Sequence, residues 1–569
     1  MKRSICGILL ALLAGAVTPS GAAVPGAEPW LTPAVSADPA LGNRLALIEV
    51  GYDALLLRVH LIRQARRSID LQTFIWTNDE AGRLLIYELI QAARRGVRVR
   101  IIADHFVSDK DPATVAFLAT VHPNLEVRHY RPGRGRIKPS LLSTMWHGLW
   151  SFQEFNQRMH NKVLVVDGDV LVTGGRNVEN TYYDHSTSMN FRDRDVLAVG
   201  PVAGTAAASF ERYWTCRHVV PSRDLRDVQA ELEAGTYRRY ETREDFGYHG
   251  FFEALDREAD DLELMARRFG ARLQPVARVR FMADEPGKKR GLPFSEQARM
   301  TQALREVLEQ ARATVVVQTP YLVLSEPARK LFRRLTQERG VRVRISSNSF
   351  ASTDNLLAYS ANYRLRNEYV EKLGLEIHEL RPRPQILRER FPQFDRMEER
   401  AQAERAKGST ARPPFLCVHA KSLVVDGRIA YVGSYNLDPR SENLNTEAGL
   451  LVEDEAFAAA LQAEIERDVE PANSWVIGRR ALPLKMEAVN GLVAGLFDVV
   501  LGPVDLWPIQ NTCSFQLREG GRELSPYHPE FHRNYEEAGA FPGAESLLST
   551  KEIVTRVYKA VGAPLTPIL

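Results

Sequence analysis

The sequence predicts an α/β fold made of two similar halves, each a mixed sheet flanked by helices, with one active site at their interface. The first observation is an internal repeat, because the hexapeptide Gly-Val-Arg-Val-Arg-Ile occurs at residues 96–101 and again at 340–345. The second is an alternation of β-branched runs and helical stretches, which is typical of helices packed on a parallel or mixed sheet. The third is a His-x-Lys-x4-Asp motif in each half, which predicts that the two halves share one site.

The repeat is preserved in order as well as in composition. Strand, helix and strand are predicted at 68–74, 82–95 and 97–103 in the first half, and at 314–318, 326–338 and 341–346 in the second. In both copies an Ala-Arg pair precedes the first strand and a Gln-Thr pair ends it. Chance similarity does not explain this repeated order, so the chain is interpreted as a duplication.

The duplication sets the expected domain bounds. The first half is expected at residues 42–220 and the second at 276–475, joined by a charged, helix-compatible connector at 221–275. Inside the second half, residues 382–414 are rich in Arg, Glu and Pro, and form either a solvated excursion or lid, or a disordered charged loop. The C-terminal extension at 476–569 has no assigned role, and its apolar stretch 488–501 is either a core-docking helix or a membrane-surface helix.

The N-terminus has the pattern of a secretory signal. Lys2 and Arg3 precede an apolar run at 5–17, and small residues follow it, which predicts a cleaved signal peptide at 1–23. A retained anchor is the alternative, although the run is shorter than the ~20 residues of a membrane span. The mature protein is therefore expected to be periplasmic or otherwise exported and peripherally associated with a membrane.

Charge and cysteine content count against several other classes of protein. A formal net charge of +3 over 569 residues does not favour a nucleic-acid partner. After the signal, Cys216, Cys417 and Cys513 remain, without a C-x-x-C spacing. They are expected to be small core residues, so neither a disulfide framework nor a zinc site is predicted. The sequence leaves the oligomeric state open.

The chemistry is predicted to reside in the paired motifs. The first contains His160, Lys162 and Asp167, and the second contains His419, Lys421 and Asp426. A glycine-rich turn follows each motif and contributes an asparagine, Asn177 or Asn436. Because side chains of an extended strand alternate, the His and Lys of each motif are expected to point into one pocket.

These residue types suit transfer of a phosphoryl group. A neutral imidazole can attack phosphorus and an imidazolium can donate a proton, so a pair of histidines can divide the nucleophile and acid roles. Lysines and asparagine amides can neutralise the non-bridging phosphate oxygens, which is the task of metal ions in other enzymes. We therefore predict that no metal and no cofactor is required. The alternative is that both copies are inactive relics of a duplication.

The paired motifs resemble the HKD signatures of the phospholipase D superfamily, and the branch that they resemble most is that of the bacterial cardiolipin synthases of C type. The resemblance covers most of residues 45–470 and none of the last ninety or so. The stretches that carry it lie at 68–76, 82–104, 158–162, 174–177, 190–193 and 433–441.

The resemblance implies a covalent phosphohistidine route and a role for each matching position. His160 and His419 match the catalytic pair, with His160 the nucleophile and His419 the general acid. The phosphate-binding groups implied are Lys162, Lys421, Asn177, Asn436 and Ser434. Asp193 and Glu447 correspond to the acidic residues that orient the histidines, and Asp167 and Asp426 are implied to be structural. One departure is Gly175, where the second motif has Ser434.

The leading hypothesis is a phosphatidyltransferase that makes cardiolipin from phosphatidylglycerol and a second phospholipid at a membrane surface. A hydrolytic phospholipase D would use water as the acceptor, and a secreted nuclease of the same superfamily would take a nucleic-acid phosphodiester. A non-catalytic lipid-binding protein is the hypothesis from another class. The intact His and Lys pairs count against the last, and the near-neutral charge counts against the nuclease.

Overall fold

The structure of the protein is a computed structural model, which describes residues 28–32, 36–105, 108, 111–138, 156–247, 251–288, 298–409, 413–481 and 511–543. The predicted signal peptide at 1–23 and the apolar stretch at 488–501 lie outside these residues. Within the described ranges, no helix is both long enough and apolar enough to span a membrane.

The first half is built on a mixed sheet. Its strands are β1 (Arg44–Ile48), β2 (Ser68–Thr73), β3 (Arg98–Asp104), β4 (Leu125–Tyr130), β5 (Val163–Val166), β6 (Val170–Gly174), β7 (Met189–Arg192), β8 (Asp195–Val199) and β9 (Val219–Pro221). Its helices are α1 (Gly51–Gln64), α2 (Glu80–Arg94), α3 (Pro112–Thr120) and α4 (Val202–Trp214). The connector adds α5 (Arg226–Ala234), α6 (Phe251–Asp260), α7 (Leu262–Arg268) and β10 (Gln274–Pro275).

The second half repeats the arrangement. Its strands are β11 (Arg278–Ala283), β12 (Thr314–Gln318), β13 (Arg342–Asn348), β14 (Glu376–Leu380), β15 (Phe415–Val418), β16 (Ser422–Val425), β17 (Ile429–Gly433), β18 (Ala448–Glu453), β19 (Ser474–Arg479), β20 (Thr512–Leu517) and β21 (Tyr535–Gly539). Its helices are α8 (Arg299–Glu309), α9 (Glu326–Arg333), α10 (Leu356–Asn367), α11 (Leu387–Arg390), α12 (Phe394–Ala406), α13 (Pro439–Asn443), α14 (Glu455–Val469) and α15 (Phe531–Asn534).

The strand orders confirm the predicted fold class of two similar α/β halves. The first sheet runs β10-β1-β8-β6-β5-β2-β3-β4-β9, and the second runs β11-β18-β17-β16-β12-β13-β14-β19-β20-β21. In each sheet three neighbouring strands, β2-β3-β4 and β12-β13-β14, are parallel to one another, and the other neighbouring strands pair antiparallel. The glycine that begins each copy of the hexapeptide has a positive φ, 97° at Gly96 and 68° at Gly340. This left-handed conformation lets the chain turn from the end of a helix into the next strand.

The two sheets share a hydrophobic core. One cluster of buried residues takes Val163 and Val165 from β5 together with Val316 from β12 and Val424 from β16, and α4 and α14 contribute to the same cluster. The strands β7 and β15 also pair with each other in parallel, across the boundary between the halves. The halves are therefore joined by both a common core and backbone hydrogen bonds.

Two segments differ from the sequence expectations. For the described residues 382–409, the alternative of a disordered charged loop is wrong, because α11 and α12 bury Leu387, Phe391, Phe394 and Met397 in one cluster. The charged pattern reflects the outer faces of these helices. In the C-terminal extension, β20 and β21 continue the second sheet from β19, so residues 511–543 are part of that half. Cys216, Cys417 and Cys513 are all free, and Cys216 is only partly buried.

Candidate active site

The motif histidines lie at the carboxyl ends of the parallel strands, just before β5 and β16. The sequence predicted that each histidine lies within a strand. In the structure each lies just outside it, and its backbone forms a hydrogen bond with the opposite half. The N–H of His160 donates to the carbonyl of Thr446 at 2.9 Å, and the N–H of His419 donates to the carbonyl of Arg192 at 2.9 Å. Backbone pairing across the boundary therefore fixes both histidines at the interface.

This pairing brings each histidine to a carboxylate of the other half. Nδ1 of His160 lies 2.8 Å from Oε2 of Glu447, and Nδ1 of His419 lies 2.6 Å from Oδ2 of Asp193. All four side chains are buried. With Nδ1 engaged in this way, Nε2 of each ring remains for chemistry, and the carboxylate sets the orientation and tautomer of the ring.

The motif lysines lie beside their histidines. Nζ of Lys162 donates to the carbonyl of His160 at 2.7 Å, and the ring of Phe74 contacts both residues. Nζ of Lys421 donates to the carbonyl of His419 and lies 3.0 Å from its Nδ1. Both lysines are at most 3% exposed, so the site concentrates two cationic groups in a volume that is shielded from water.

The predicted phosphate-binding residues have different surroundings. Asn177 accepts from the N–H of Ile75 at 3.2 Å and donates to the hydroxyl of Tyr182 at 2.7 Å. Asn436 is 5% exposed, and its Oδ1 is without a hydrogen-bond partner among the described residues. Ser434 donates to Oε2 of Glu447. Its hydroxyl is therefore directed at the carboxylate of the His160 pair.

The motif aspartates are at the far ends of the same hairpins. Asp167 and Asp426 have left-handed φ angles of 55° and 50°. Asp167 accepts from the backbone N–H groups of residues 66, 67 and 68, and Asp426 accepts from those of 312, 313 and 314. Each aspartate ties a β-hairpin to the start of the neighbouring strand, away from the histidines.

The structure gives a steric reason for glycine at position 175, which the sequence did not reveal. A Cβ atom at this position would lie 2.0 Å from Oδ1 and 2.7 Å from Cγ of Asp193. The shorter aspartate thus occupies the space that a side chain at 175 would need. In the second half, the longer Glu447 leaves room for Ser434, which then stabilises it by a hydrogen bond.

Comparison with known proteins identifies the family. A family model described as cardiolipin synthase, PLD-like domain, matches residues 59–214 and 304–469. The chain belongs to this family. Cardiolipin synthase C of Escherichia coli K12 is 30% identical over 414 residues, which are 72% of this chain and 81% of the relative. The resemblance to the phospholipase D superfamily is therefore confirmed. Membership of the family also confirms the expected enzyme class, a phosphatidyltransferase or phospholipase D.

Two further proteins are similar to this chain in sequence or in fold. An uncharacterized protein of Helicobacter pylori is 31% identical over 437 residues, which are 75% of this chain and 79% of that protein. Among solved structures, phosphatidylserine synthase of Haemophilus influenzae has a TM-score of 0.50 at 16% identity, and the match covers 80% of this chain and 93% of that one. At that identity the structural match shows the fold alone.

Within this family member, the two histidine pairs are electrostatically unequal. Burial would raise the pKa of Asp193, but the charges of His419 and Lys421 hold it well below its usual range. Burial, together with Lys421, lowers the pKa of His419 to about 4, against the opposing effect of Asp193. Asp193 is thus a firmly ionised partner that can stabilise an imidazolium.

The other pair has a weaker carboxylate charge. Burial raises the pKa of Glu447 to about 7, despite the nearby charge of Lys162. Burial, followed by the charges of Lys162 and Lys421, lowers the pKa of His160 well below its ordinary value. His160 therefore stays neutral over a wide pH range, which leaves its imidazole lone pair available.

Burial also affects the lysines. It lowers the pKa of Lys162 to about 7 and that of Lys421 to about 8, although nearby carboxylates oppose the effect. An anionic phosphate bound between the two ammonium groups would favour their protonated forms.

Sequence reasoning missed several residues of the site. Tyr182 contacts His419 both through its ring, with centroids 5.0 Å apart, and through its hydroxyl, 3.4 Å from Nε2. Phe191 contacts the same imidazole at 4.7 Å. Asp284 accepts from the N–H of Glu447 at 3.0 Å and from Nζ of Lys288 at 2.9 Å. Phe191 lies in a stretch that carries the family resemblance, whereas nothing in the sequence around Tyr182 or Asp284 indicated a role.

The acidic and imidazole groups of the site are engaged in pairs. Among the described residues, no group of three or more His, Cys, Asp and Glu side chains is arranged to hold a metal ion. Two buried lysines, Lys162 and Lys421, lie next to the two histidines.

Proposed function

We propose that this chain is a phosphatidyltransferase that makes cardiolipin from phosphatidylglycerol and a second phospholipid through a phosphohistidine intermediate. The observation that carries the proposal is the pair of reciprocal contacts, His160 with Glu447 and His419 with Asp193, at 2.8 and 2.6 Å. Two histidines, each oriented by a carboxylate and accompanied by a buried lysine, supply a nucleophile, an acid and a cradle for a phosphodiester.

In the first step, Nε2 of His160 attacks phosphorus and the bond from phosphorus to the alcohol of the donor lipid breaks. His419, as imidazolium, gives its proton to the departing alkoxide, so an alcohol leaves and a phosphatidyl-histidine remains. The unequal surroundings of the two rings support this division of roles. Burial lowers the pKa of both rings, to about 4 for His419. The firmly ionised Asp193 opposes this lowering at His419 and can stabilise its imidazolium, whereas Lys162 and Lys421 add to the lowering at His160, the proposed neutral nucleophile.

In the second step, the neutral His419 takes the proton of an acceptor hydroxyl. The acceptor oxygen then bonds to phosphorus and the P–N bond to His160 breaks, which restores both rings. Phosphatidylglycerol as acceptor yields cardiolipin. Throughout, Lys162 and Lys421 stabilise the non-bridging oxygens electrostatically, and the amides of Asn177 and Asn436 can donate hydrogen bonds to them.

A hydrolytic phospholipase D shares the first step and differs only in the acceptor. Water in place of the second lipid would give phosphatidic acid. The two functions differ in how well the acceptor site excludes water.

Lipid analysis separates these functions. Purified protein is incubated with vesicles of phosphatidylglycerol, alone and mixed with phosphatidylethanolamine, and the products are resolved by mass spectrometry. We expect cardiolipin as the main product. Phosphatidic acid without cardiolipin would assign the hydrolase, and the absence of both would contradict the proposal. The His160→Ala variant is the matched control for contaminating activity.

We further propose that the protein acts outside the cytoplasm on a membrane surface. The support is the signal-like N-terminus at 1–23 and membership of a family whose relatives include cardiolipin synthases. Fractionation should recover a protein shortened at the N-terminus in the periplasmic or membrane fraction. Full-length protein in the cytosol, with its signal attached, would contradict this location.

A further inference from the structure

A buried ion pair lies beside the candidate active site and belongs to neither motif. Nζ of Lys288 is 2.9 Å from Oδ2 of Asp284, and each residue is 1% exposed. Lysine is almost never fully buried unless it is paired. Apolar side chains of the same shape often serve stability as well as a buried ion pair does, so stability alone does not explain why charges are placed here. The pair also takes no part in the two chemical steps proposed above.

The aspartate of this pair holds the backbone of Glu447. Oδ2 of Asp284 accepts from the N–H of Glu447 at 3.0 Å, and the N–H of Asp284 donates to the carbonyl of Glu447 at 2.9 Å. Oδ1 of Asp284 accepts from the N–H of Met300 at 2.9 Å, so both carboxylate oxygens are engaged. One residue thus fixes both backbone groups of Glu447, whose side chain contacts Nδ1 of His160 at 2.8 Å.

Two further contacts hold Asp284 in place, one from each half. Nζ of Lys288 donates to the carbonyl of Ser441 on α13 at 2.7 Å, in addition to its bond with Asp284. From the first half, the hydroxyl of Tyr213 on α4 donates to the carbonyl of Asp284 at 2.9 Å. The ion pair is therefore anchored on both sides of the boundary that Glu447 crosses to reach its histidine.

The charge of Lys288 also acts on Glu447. Burial raises the pKa of Glu447 to about 7, and the charges of Lys162 and then Lys288 oppose this rise. An ionised Glu447 accepts the Nδ1 proton of His160 and leaves Nε2 with its lone pair. The ammonium group of Lys288 thus favours the form of Glu447 that a neutral nucleophile needs.

The first half supports its carboxylate differently. Ile48 and Met282 occupy equivalent positions, because each is two strands away from the first glycine of a motif turn in the same register. Two residues further on, the first half has Val50 where the second half has Asp284. Val50 has no side-chain acceptor, and Asp193 accepts instead from the backbone N–H of the next residue at 2.7 Å. The support that Asp284 gives is therefore a feature of the second half.

We propose that Asp284 and Lys288 are positioning residues for the nucleophile, because they fix Glu447 where its carboxylate directs Nε2 of His160 toward phosphorus. The inference rests on the proposed function, since that function assigns His160 as the nucleophile. Both residues act through Glu447 and neither contacts the substrate.

A comparison in two backgrounds tests this indirect action. Asp284→Asn combined with Lys288→Met removes both charges and nearly keeps the shapes, and it is made in the unaltered enzyme and in a Glu447→Ala variant. The measurement is the single-turnover rate of phosphohistidine formation from bis(p-nitrophenyl) phosphate, whose leaving group needs no acid. In the unaltered background the rate should fall about 10–100-fold, the usual cost of losing an outer hydrogen-bond partner at metal sites.

The second background separates positioning from a general structural role. Without the side chain of Glu447 there is nothing left to orient, so the same double change should lower the rate less than about twofold further. An equal loss in both backgrounds would overturn the proposal. Cardiolipin formation by the unaltered enzyme decides the proposed function, and the two backgrounds decide this inference, so each can fail without the other.

Another buried ion pair of the second half provides the matched control. Arg366 and Glu379 are each 1% exposed and pair with each other. Arg366→Met combined with Glu379→Gln should leave the rate within about twofold, and a loss as large as that of the Asp284 and Lys288 change would overturn the proposal. If the double variant at 284 and 288 melts early, Asp284→Asn alone goes through the same two backgrounds and decides.

Discussion

At the scale of residues, the two histidine–carboxylate pairs have the same contacts but different chemistry around them. The shorter Asp193 fits against Gly175, and the longer Glu447 is held by Ser434. Burial raises the pKa of Glu447, whereas cationic neighbours hold that of Asp193 low. A near-symmetric duplication has thus produced an asymmetric site.

Replacing His160 and replacing His419 should have different effects on formation of the covalent intermediate. In the proposed mechanism, His160→Ala removes the nucleophile and His419→Ala removes the general acid, whose contribution to the rate is typically ~10²–10⁴-fold. With bis(p-nitrophenyl) phosphate, whose leaving group departs without protonation, His419→Ala should still form a covalent phosphohistidine and His160→Ala should not. Acid-labile label located by peptide mapping is the measurement. Label on His419 in the unaltered enzyme would reverse the roles.

The lysines predict an alkaline limit to activity. Burial lowers the pKa of Lys162 to about 7 and of Lys421 to about 8, and only the ammonium forms attract phosphate. The value of kcat/KM should therefore fall as pH rises through about 7 to 8. An arginine keeps its charge throughout this range, so Lys421→Arg should move the alkaline limb to a different pH even if it lowers the maximum. An unchanged limb in both Lys→Arg variants would contradict this assignment.

The steric fit at Gly175 predicts a compensating pair of changes. Gly175→Ser alone should displace Asp193 and reduce kcat by ~10²–10⁴-fold, because His419 loses the carboxylate that orients it as the acid. Gly175→Ser combined with Asp193→Glu reproduces the Ser434–Glu447 pair and should recover part of the loss. The measurement is kcat for both variants. A double variant no better than the single one would show that the site does not accommodate the longer carboxylate.

At the scale of elements, strands outside the predicted repeat complete the second half. β20 pairs with β19, and Phe515 and Phe531 pack with Val476 and Tyr535 in one buried cluster. The helix α12 reaches the first half, where Glu404 accepts from Thr187 and Arg400 lies 3.4 Å from Glu80. The C-terminal strands therefore contribute to the core of the second half, and α12 contributes to the mutual placement of the halves.

The C-terminal strands should contribute measurably to stability. Phe515 is 2% exposed, and Phe515→Ala should lower the free energy of unfolding by about 3–5 kcal/mol because it leaves a cavity in this cluster. Gln516→Ala on the same strand, whose side chain is only partly buried, should cost under about 1 kcal/mol. Urea unfolding gives both values. Equal costs would show that residues 511–543 do not share the cooperative core.

At the scale of the whole molecule, neither half contains a complete site. Each histidine takes its carboxylate from the other half, and a shared core of β5, β12, β16, α4 and α14 fixes their separation. The pairing of β7 with β15 adds a direct backbone link beside the site. The two buried motif lysines, Lys162 and Lys421, also come from different halves.

This shared arrangement of lysines predicts catalysis that does not depend on a metal ion. Two buried ammonium groups next to the histidines can neutralise a phosphodiester, a role that divalent ions have in other phosphoryl transfers. Activity should survive prolonged treatment with chelator, measured on detergent micelles so that lipid presentation is constant. Loss of activity that one specific divalent ion restores would contradict the prediction.

The amino-acid sequence by itself determined the duplication, the α/β class and the motif residues, because these depend on local periodicity and on residue types that recur at fixed spacing. The hexapeptide glycines, Gly96 and Gly340, show how local the signal is, since each turns a helix into a strand in its own copy. The family resemblance added the identity of the acidic residues.

The tertiary structure alone decided which partners meet. That Glu447 contacts His160 and Asp193 contacts His419 depends on strand pairing across the two halves, over a separation that no local pattern encodes. Other features depend in the same way on contacts between distant segments. They are the need for glycine at 175, the position of Tyr182 beside His419, the helices α11 and α12, and the strands β20 and β21. Periodicity reports which face of an element is buried, whereas the choice of what covers that face is made by packing of the whole chain.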